Sequence, residues 1–120
     1  MANTFKVVSH DVMPQSAGTP EDLYTTPSNT TTVVLGLILA NVHTSQVTVS
    51  VKLVSDTSGG GRSATNTTTH LLKDAPIPVG SSLVVVGGEQ KVVMEPGDGL
   101  EITSDTASSA DALASILEIT

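Results

Sequence analysis

Residues Leu23 to Val54, LYTTPSNTTTVVLGLILANVHTSQVTVSVKLV, restrict the fold more than any other part of the chain. Gln46 to Val54 alternates strictly. Val47, Val49, Val51 and Leu53 fall on one side, and Gln46, Thr48, Ser50 and Lys52 on the other. A period of two marks a strand with one covered face. Thr31 to Val42 is apolar on both sides, carrying Val33, Val34, Leu35, Leu37, Ile38 and Leu39. The leading threonines and valines and the interior Gly36 disfavour a helix there. Such a strand belongs in the middle of a sheet or against a neighbouring subunit, and Gly36 signals a bulge or a close backbone approach. His43-Thr44-Ser45 is short enough for a tight hairpin loop, so these two stretches are expected to pair as hairpin arms. Leu23 to Thr26 forms a short extended lead-in, stopped by Pro27 and turned at Ser28-Asn29.

The remaining segments read the same way. Thr4 to Met13 is a strand with Phe5, Val7 and Ser9 on one face and Lys6, Val8 and His10 on the other. Pro14 to Pro20 is loop. Ser55 to Thr67, with three consecutive glycines, is expected to be a long, exposed, flexible hairpin loop. Strands follow at Thr68–Ala75, Ser81–Val86, Lys91–Met94 and Leu100–Ser104, with Pro76–Gly80 as a turn-rich crossing. Ala112 to Thr120 closes the chain, with Leu113, Ser115, Leu117 and Ile119 on one face and Ala114, Ile116 and Glu118 on the other. Ser108–Leu117 is the best of the weak helix candidates. Eight or nine short strands separated by turns predict one all-β domain over residues 1–120, an antiparallel β-sandwich of jelly-roll or immunoglobulin-like type. Composition agrees: 16 Val and 17 Thr stand against one Phe, one Tyr and no Trp, so the core must be aliphatic.

Several function classes find no support. A net charge of −7, with five Lys and Arg spread singly, gives no basic patch for nucleic acid. The chain has no cysteine for disulfides, thiolate metal sites or a thiol nucleophile. The first residues, MANTFKVVSHD, hold no apolar run of signal-peptide length, and no run elsewhere reaches membrane-spanning length. The three histidines lack ligand spacing, and His10 and Asp11 point to opposite faces of a strand. Asp98, Glu101 and Asp105, with Glu95 nearby, lack EF-hand spacing and read as a solvated acidic turn. Gly59-Gly60-Gly61-Arg62 lacks the lysine and the following helix of a phosphate cradle; it reads as exposed loop, with Arg62 at its tip free for a partner. No convergent acid–base or nucleophile set is visible, so neither catalysis nor a cofactor is expected.

Four signatures carry a resemblance. Leu23-Tyr24-Thr25-Thr26-Pro27 precedes a Thr- and Val-rich strand. Leu71-Leu72-Lys73-Asp74-Ala75-Pro76-Ile77-Pro78 precedes a Gly-Ser-Ser turn. Lys91-Val92-Val93-Met94-Glu95-Pro96-Gly97-Asp98 precedes Leu100-Glu101-Ile102-Thr103-Ser104. The chain stops on Ser115-Ile116-Leu117-Glu118-Ile119-Thr120. This layout resembles the small β-sandwich structural proteins of tailed bacteriophages, including those of cyanobacteria and other marine bacteria, although Ser55–Thr67 is longer than the family's loop. The resemblance implies a non-enzymatic virion component, made in the host cytoplasm, in the tail, neck or baseplate or decorating the head. It implies partners among copies of itself and other virion proteins, with homo-oligomeric rings as the expected form. Val34, Leu35, Leu37, Leu39, Ile116 and Ile119 are the candidate subunit contacts, and Gly59 to Arg62 would face solvent or host. A receptor- or carbohydrate-binding module of a phage fibre is the alternative, weakened by having only Tyr24 and Phe5 to stack on a sugar.

Overall fold

The alternating stretches become strands, and each strand gives one face to a shared aliphatic interior. A computed structural model describes residues 2–120. Its strands are β1 (Asn3–Met13), β2 (Glu21–Thr25), β3 (Thr31–Asn41), β4 (Val47–Val54), β5 (Thr69–Ile77), β6 (Ser82–Val86), β7 (Val92–Met94), β8 (Gly99–Ser104) and β9 (Ala110–Ile119). One antiparallel sheet runs β1-β9-β3-β6, with β7 also pairing β3; the other runs β2-β8-β4-β5. Successive strands cross between the sheets except at β4–β5 and β6–β7, which each stay within one sheet, and β8 and β9 return to the middle of each sheet. This is jelly-roll connectivity, which resolves the jelly-roll or immunoglobulin-like choice.

The expected β3–β4 hairpin is not formed. β3 lies in the first sheet and β4 in the second, so residues 42–46 cross between layers. The alternating face of β4 is covered by the opposite sheet rather than by pairing with β3. Asn41 builds this corner. Its side-chain amide donates to the Ser45 carbonyl at 2.9 Å and the Ile77 carbonyl at 2.8 Å, and its oxygen accepts the His43 N–H at 2.8 Å. Asn41→Ala removes all three of these bonds from the corner. The expected loss is about 1–3 kcal/mol, read as a lower urea midpoint at unchanged m value.

Two other boundaries shift. β5 runs through Pro76 to the buried Ile77, where a crossing was expected. Proline is tolerated because β5 is an edge strand with one backbone side unpaired. The weak helix candidate Ser108–Leu117 falls, from Ala110 on, in strand β9. As the two-faced apolar pattern requires, β3 is central, bordered by β9 on one side and β6 and β7 on the other. The register shifts between Val34 and Gly36, so the glycine does mark a bulge. A Cβ there would sit 3.7 Å from the Val86 carbonyl, an ordinary contact, so close approach is not its reason.

The core follows from the register. From the first sheet, the rows Val8–Ala114–Leu37–Val86 and Ile116–Val34–Val92 point inward. Val47, Val49, Val51, Leu100 and Ile102 meet them from the second. Glu95-Pro96-Gly97-Asp98 closes β7 to β8 as a tight turn: the Asp98 N–H donates to the Glu95 carbonyl at 3.0 Å, and Gly97 takes φ 88°. Proline second and a positive-φ glycine third are the requirements of a type II turn.

Candidate subunit-contact face

Phe5 and Val7 of β1 and Leu113 and Leu117 of β9 point away from this core. Pairing fixes their faces. Phe5 stands opposite Leu117, Leu117 opposite Val33, and Val33 opposite Val93. A second row runs Ser9, Leu113, Ile38 and Val84. Each row crosses the outer face of the first sheet, with Val7, Ser115 and the bulged Leu35 and Gly36 between them. Phe5 is 74 % exposed, Val84 61 % and Val93 59 %. The inward face of β9 instead carries Ala110, Ala112, Ala114, Ile116 and Glu118, and that of β1 carries Lys6, Val8 and His10.

The second sheet's outer face is different in kind. Asp22 pairs with Glu101, Glu101 with Lys52, and Lys52 with His70. That face is charged and solvated, as a surface facing water should be. The apolar face therefore reflects a property of one sheet rather than of the sandwich.

Four of the six expected contact residues are not on this face. Val34, Leu37, Leu39 and Ile116 are fully buried against the chain's own second sheet. Their side chains belong to the intramolecular core and leave no surface for a neighbour. Leu35 and Ile119 are half-buried, with Ile119 opposite both Asn3 and Thr31 on the outer side. The residues that do form the face, Phe5, Val7, Ile38, Val84, Val93 and Leu113, were missed as contact candidates. The signal was present in the first and last strands: in each, one face is richer in large apolar groups than the face that turns inward.

At one end the face is hollowed. The β1–β9 register breaks between His10 and Met13. Val12 takes φ 45° there, and its N–H donates to Asp111 Oδ1 at 2.9 Å. Ser9, Ile38, Ala40 and Leu113, together with Asp11 and Asp111, line a depression of about 290 Å³.

Residues 55–68 link β4 to β5. Gly59, Gly60 and Gly61 are exposed and all take positive φ, from 61° to 89°. Arg62 folds back: Nη1 donates to the Gly59 carbonyl at 2.8 Å, and Nη2 is paired with Glu95. Its guanidinium is therefore engaged within the chain rather than free at the tip. The carboxylates near that turn are likewise separated. Asp98 Oδ2 accepts the Glu95 N–H at 3.0 Å, Asp105 Oδ1 accepts the Thr48 N–H at 3.1 Å, and Glu101 faces Lys52. Among the described residues no three His, Asp or Glu converge as metal ligands. His10 Nδ1 lies 2.7 Å from the Asp11 carbonyl and Nε2 lies 3.2 Å from Glu21 Oε2.

One polar cluster is built into the interior. Glu118 is buried at the inner side of β9. It accepts the Tyr24 hydroxyl at 2.6 Å and pairs with Lys6 Nζ at 2.8 Å; Tyr24 Oη also lies 2.8 Å from Thr32 Oγ1. The Lys6 and Tyr24 hydrogen bonds hold the Glu118 carboxyl below its usual pKa, against the effect of burial. Burial first, and then the bond to Glu118, push the Tyr24 phenol up. Tyr24 thus ties the second sheet to the first.

No protein-family model matches the sequence, and no curated protein matches it. A solved structure shares the fold. A chain in the structure of infectious bursal disease virus, Gx strain, aligns with a TM-score of 0.52 at 10% identity, over 97% of this chain and 32% of that one. The protein therefore spans about a third of the viral chain it matches. A Bacillus protein described with endospore appendages, a family of disulfide-linked pili, aligns at 15% identity with a TM-score of 0.49, over 99% of this chain and 87% of that one. At these identities the likeness to the viral chain concerns the jelly roll alone. No helix among the described residues is long and apolar enough to cross a membrane.

Proposed function

We propose that the protein is a non-enzymatic structural subunit of a tailed-bacteriophage virion, assembled with copies of itself and other virion proteins. Its place is the tail, neck or baseplate, or the head surface as a decoration protein. The carrying observation is a jelly roll with one charged outer face and one apolar outer face. A chain that leaves Phe5, Val84 and Val93 in water gains free energy by covering them, and assembly does so. The turn-and-strand resemblance to phage β-sandwich proteins supports the virion setting, and the jelly-roll likeness to a viral chain is in keeping with it.

The fibre-tip alternative loses one of its two aromatic rings. Tyr24 Oη is bound to Glu118 and Thr32 in the cluster between the sheets, which leaves Phe5 as the one exposed aromatic. Quantitative mass spectrometry of washed particles tests the main reading. Several to many copies per particle are expected; head decoration gives a copy number matching capsid sites, and a tail or neck ring gives a small fixed number. A chain found only in the host lysate, never with particles, would overturn it.

A further inference from the structure

We propose that the outer face of the β1-β9-β3-β6 sheet pairs with the same face of a second copy, with Phe5 of each copy seated in the hollow beside Ser9 of the other. The inference rests on the assembly reading and specifies the first partner of that surface. Three observations select a second copy.

The first is charge. The chain carries −7 overall, so two copies repel wherever carboxylates face each other. Between the Asn3–Ile119–Thr31 row and the end that carries Asp11 and Asp111, the outward residues of β1, β9 and β3 hold no formal charge. It is a broad surface on which two acidic bodies can meet without opposed carboxylates.

The second is shape. Phe5 projects at one end of β1, and the hollow of about 290 Å³ lies beside Ser9 toward the other end. Four residues separate them, roughly 13 Å along a strand. A two-fold axis lying in the interface and crossing the strands places β1 over β1 of the partner with its ends exchanged. Each Phe5 then stands over the partner's hollow, as an isologous interface requires. The same operation carries Asp11 and Asp111 over the uncharged Asn3–Ile119 end, so the aspartates of the two copies do not meet.

The third is area. At roughly 150–200 Å² for a fully exposed large apolar residue, the six exposed side chains present on the order of 600 Å², the top of the range a monomer leaves bare. Two copies would bury about 1,200 Å², the lower bound for specific interfaces. Stacked sheets pack about 10 Å apart, which flat aliphatic rows allow. The pairing is therefore a weak, concentration-dependent dimer.

Sedimentation velocity of the full chain over about 1–100 μM tests this. The weight-average mass should rise toward a dimer across that range. Phe5→Lys and Ser9→Trp, both at exposed positions, should each weaken the dimer at least about tenfold while leaving the β-sheet circular dichroism unchanged. Phe5→Lys removes the knob, and Ser9→Trp fills the hole. Ser58→Lys, on the exposed loop, makes the same charge change as the first variant and should leave the dimer intact. A wild type that stays monomeric at about 100 μM overturns the proposal, as does a dimer indifferent to both face variants. Particle incorporation separates the two readings. Particles that take up the Phe5→Lys chain at normal copy number sink this pairing alone. A wild-type dimer that never enters particles sinks the virion reading alone.

Discussion

Leu37→Ala should lower the stability of the isolated chain by about 2–5 kcal/mol, a large share of the roughly 5–15 kcal/mol typical of a domain. Leu37 is fully buried on the central strand, between Ala114 of β9 and Val86 of β6. Truncation removes its transfer free energy and leaves a cavity that a close-packed sandwich fills only in part. Urea unfolding at a concentration low enough to keep the chain monomeric measures the loss. If Leu37 instead faced a neighbouring subunit, the monomer's stability would hardly change and self-association would be lost. Phe5→Ala is the counterpart. It should move monomer stability within about 0.5 kcal/mol, because its ring has little of its own chain to leave. The pair of variants separates core from contact face along two strands that the pattern alone left ambiguous.

That ambiguity shows how far the residues could be read. Strand positions were legible because alternation, proline and glycine act locally: β1, β3, β4, β6 and β8 lie within a residue or two of where their patterns place them. Sheet membership was not. The alternation of Val47, Val49 and Val51 demands one covered face, and a facing sheet about 10 Å away covers it as well as any other packing. Nothing local says whether residues 42–46 turn back within a sheet or cross to the other. The deciding contacts, from Asn41 to Ser45 and Ile77, join residues up to 36 positions apart. Pro76 misled for a related reason: its permission to stay in a strand depends on β5 being an edge.

Face assignment failed where burial follows two different demands. In β9, hydrophobicity favours Leu113, Leu117 and Ile119, yet Ala112, Ala114, Ile116 and Glu118 turn inward. The alanines share rows with Leu39 and Leu37, so small and large groups alternate across the layer. Glu118 is admitted because Lys6 and Tyr24 supply its hydrogen bonds, which a neighbour-by-neighbour pattern does not reveal. A strand whose greasier face points outward has a second surface to satisfy. The contact candidates drawn from overall apolarity therefore mixed core and face.

Glu118→Gln should make the protein less stable at neutral pH and remove part of its acid sensitivity. The carboxylate accepts from Lys6 and from Tyr24, and hydrogen bonds to a charged group contribute about 1.5–3 kcal/mol each before discounting. Lys6 is 48 % exposed and can return its ammonium to water, so a total loss of about 1–3 kcal/mol is expected. The sign of the pH effect follows from the direction of the shift. Folding lowers the Glu118 pKa below its ordinary 4.5, so the unfolded chain binds the proton more readily. The stabilisation is complete above that ordinary value and disappears as pH falls through the lower, folded value. Wild type and Glu118→Gln should therefore differ most near pH 7 and converge under acid. Tyr24 gives the opposite limb. Folding raises its pKa above 10.0, so its contribution is complete below that value and fades as pH rises through the folded value, where a phenolate would face the Glu118 carboxylate. Tyr24→Phe should flatten the alkaline limb and leave the acid limb of Glu118 mostly in place, since Lys6 remains. Urea unfolding of the three proteins from acid to alkaline pH measures both limbs. Parallel curves for wild type and Glu118→Gln below neutrality would mean that Glu118 does not carry the inter-sheet tie.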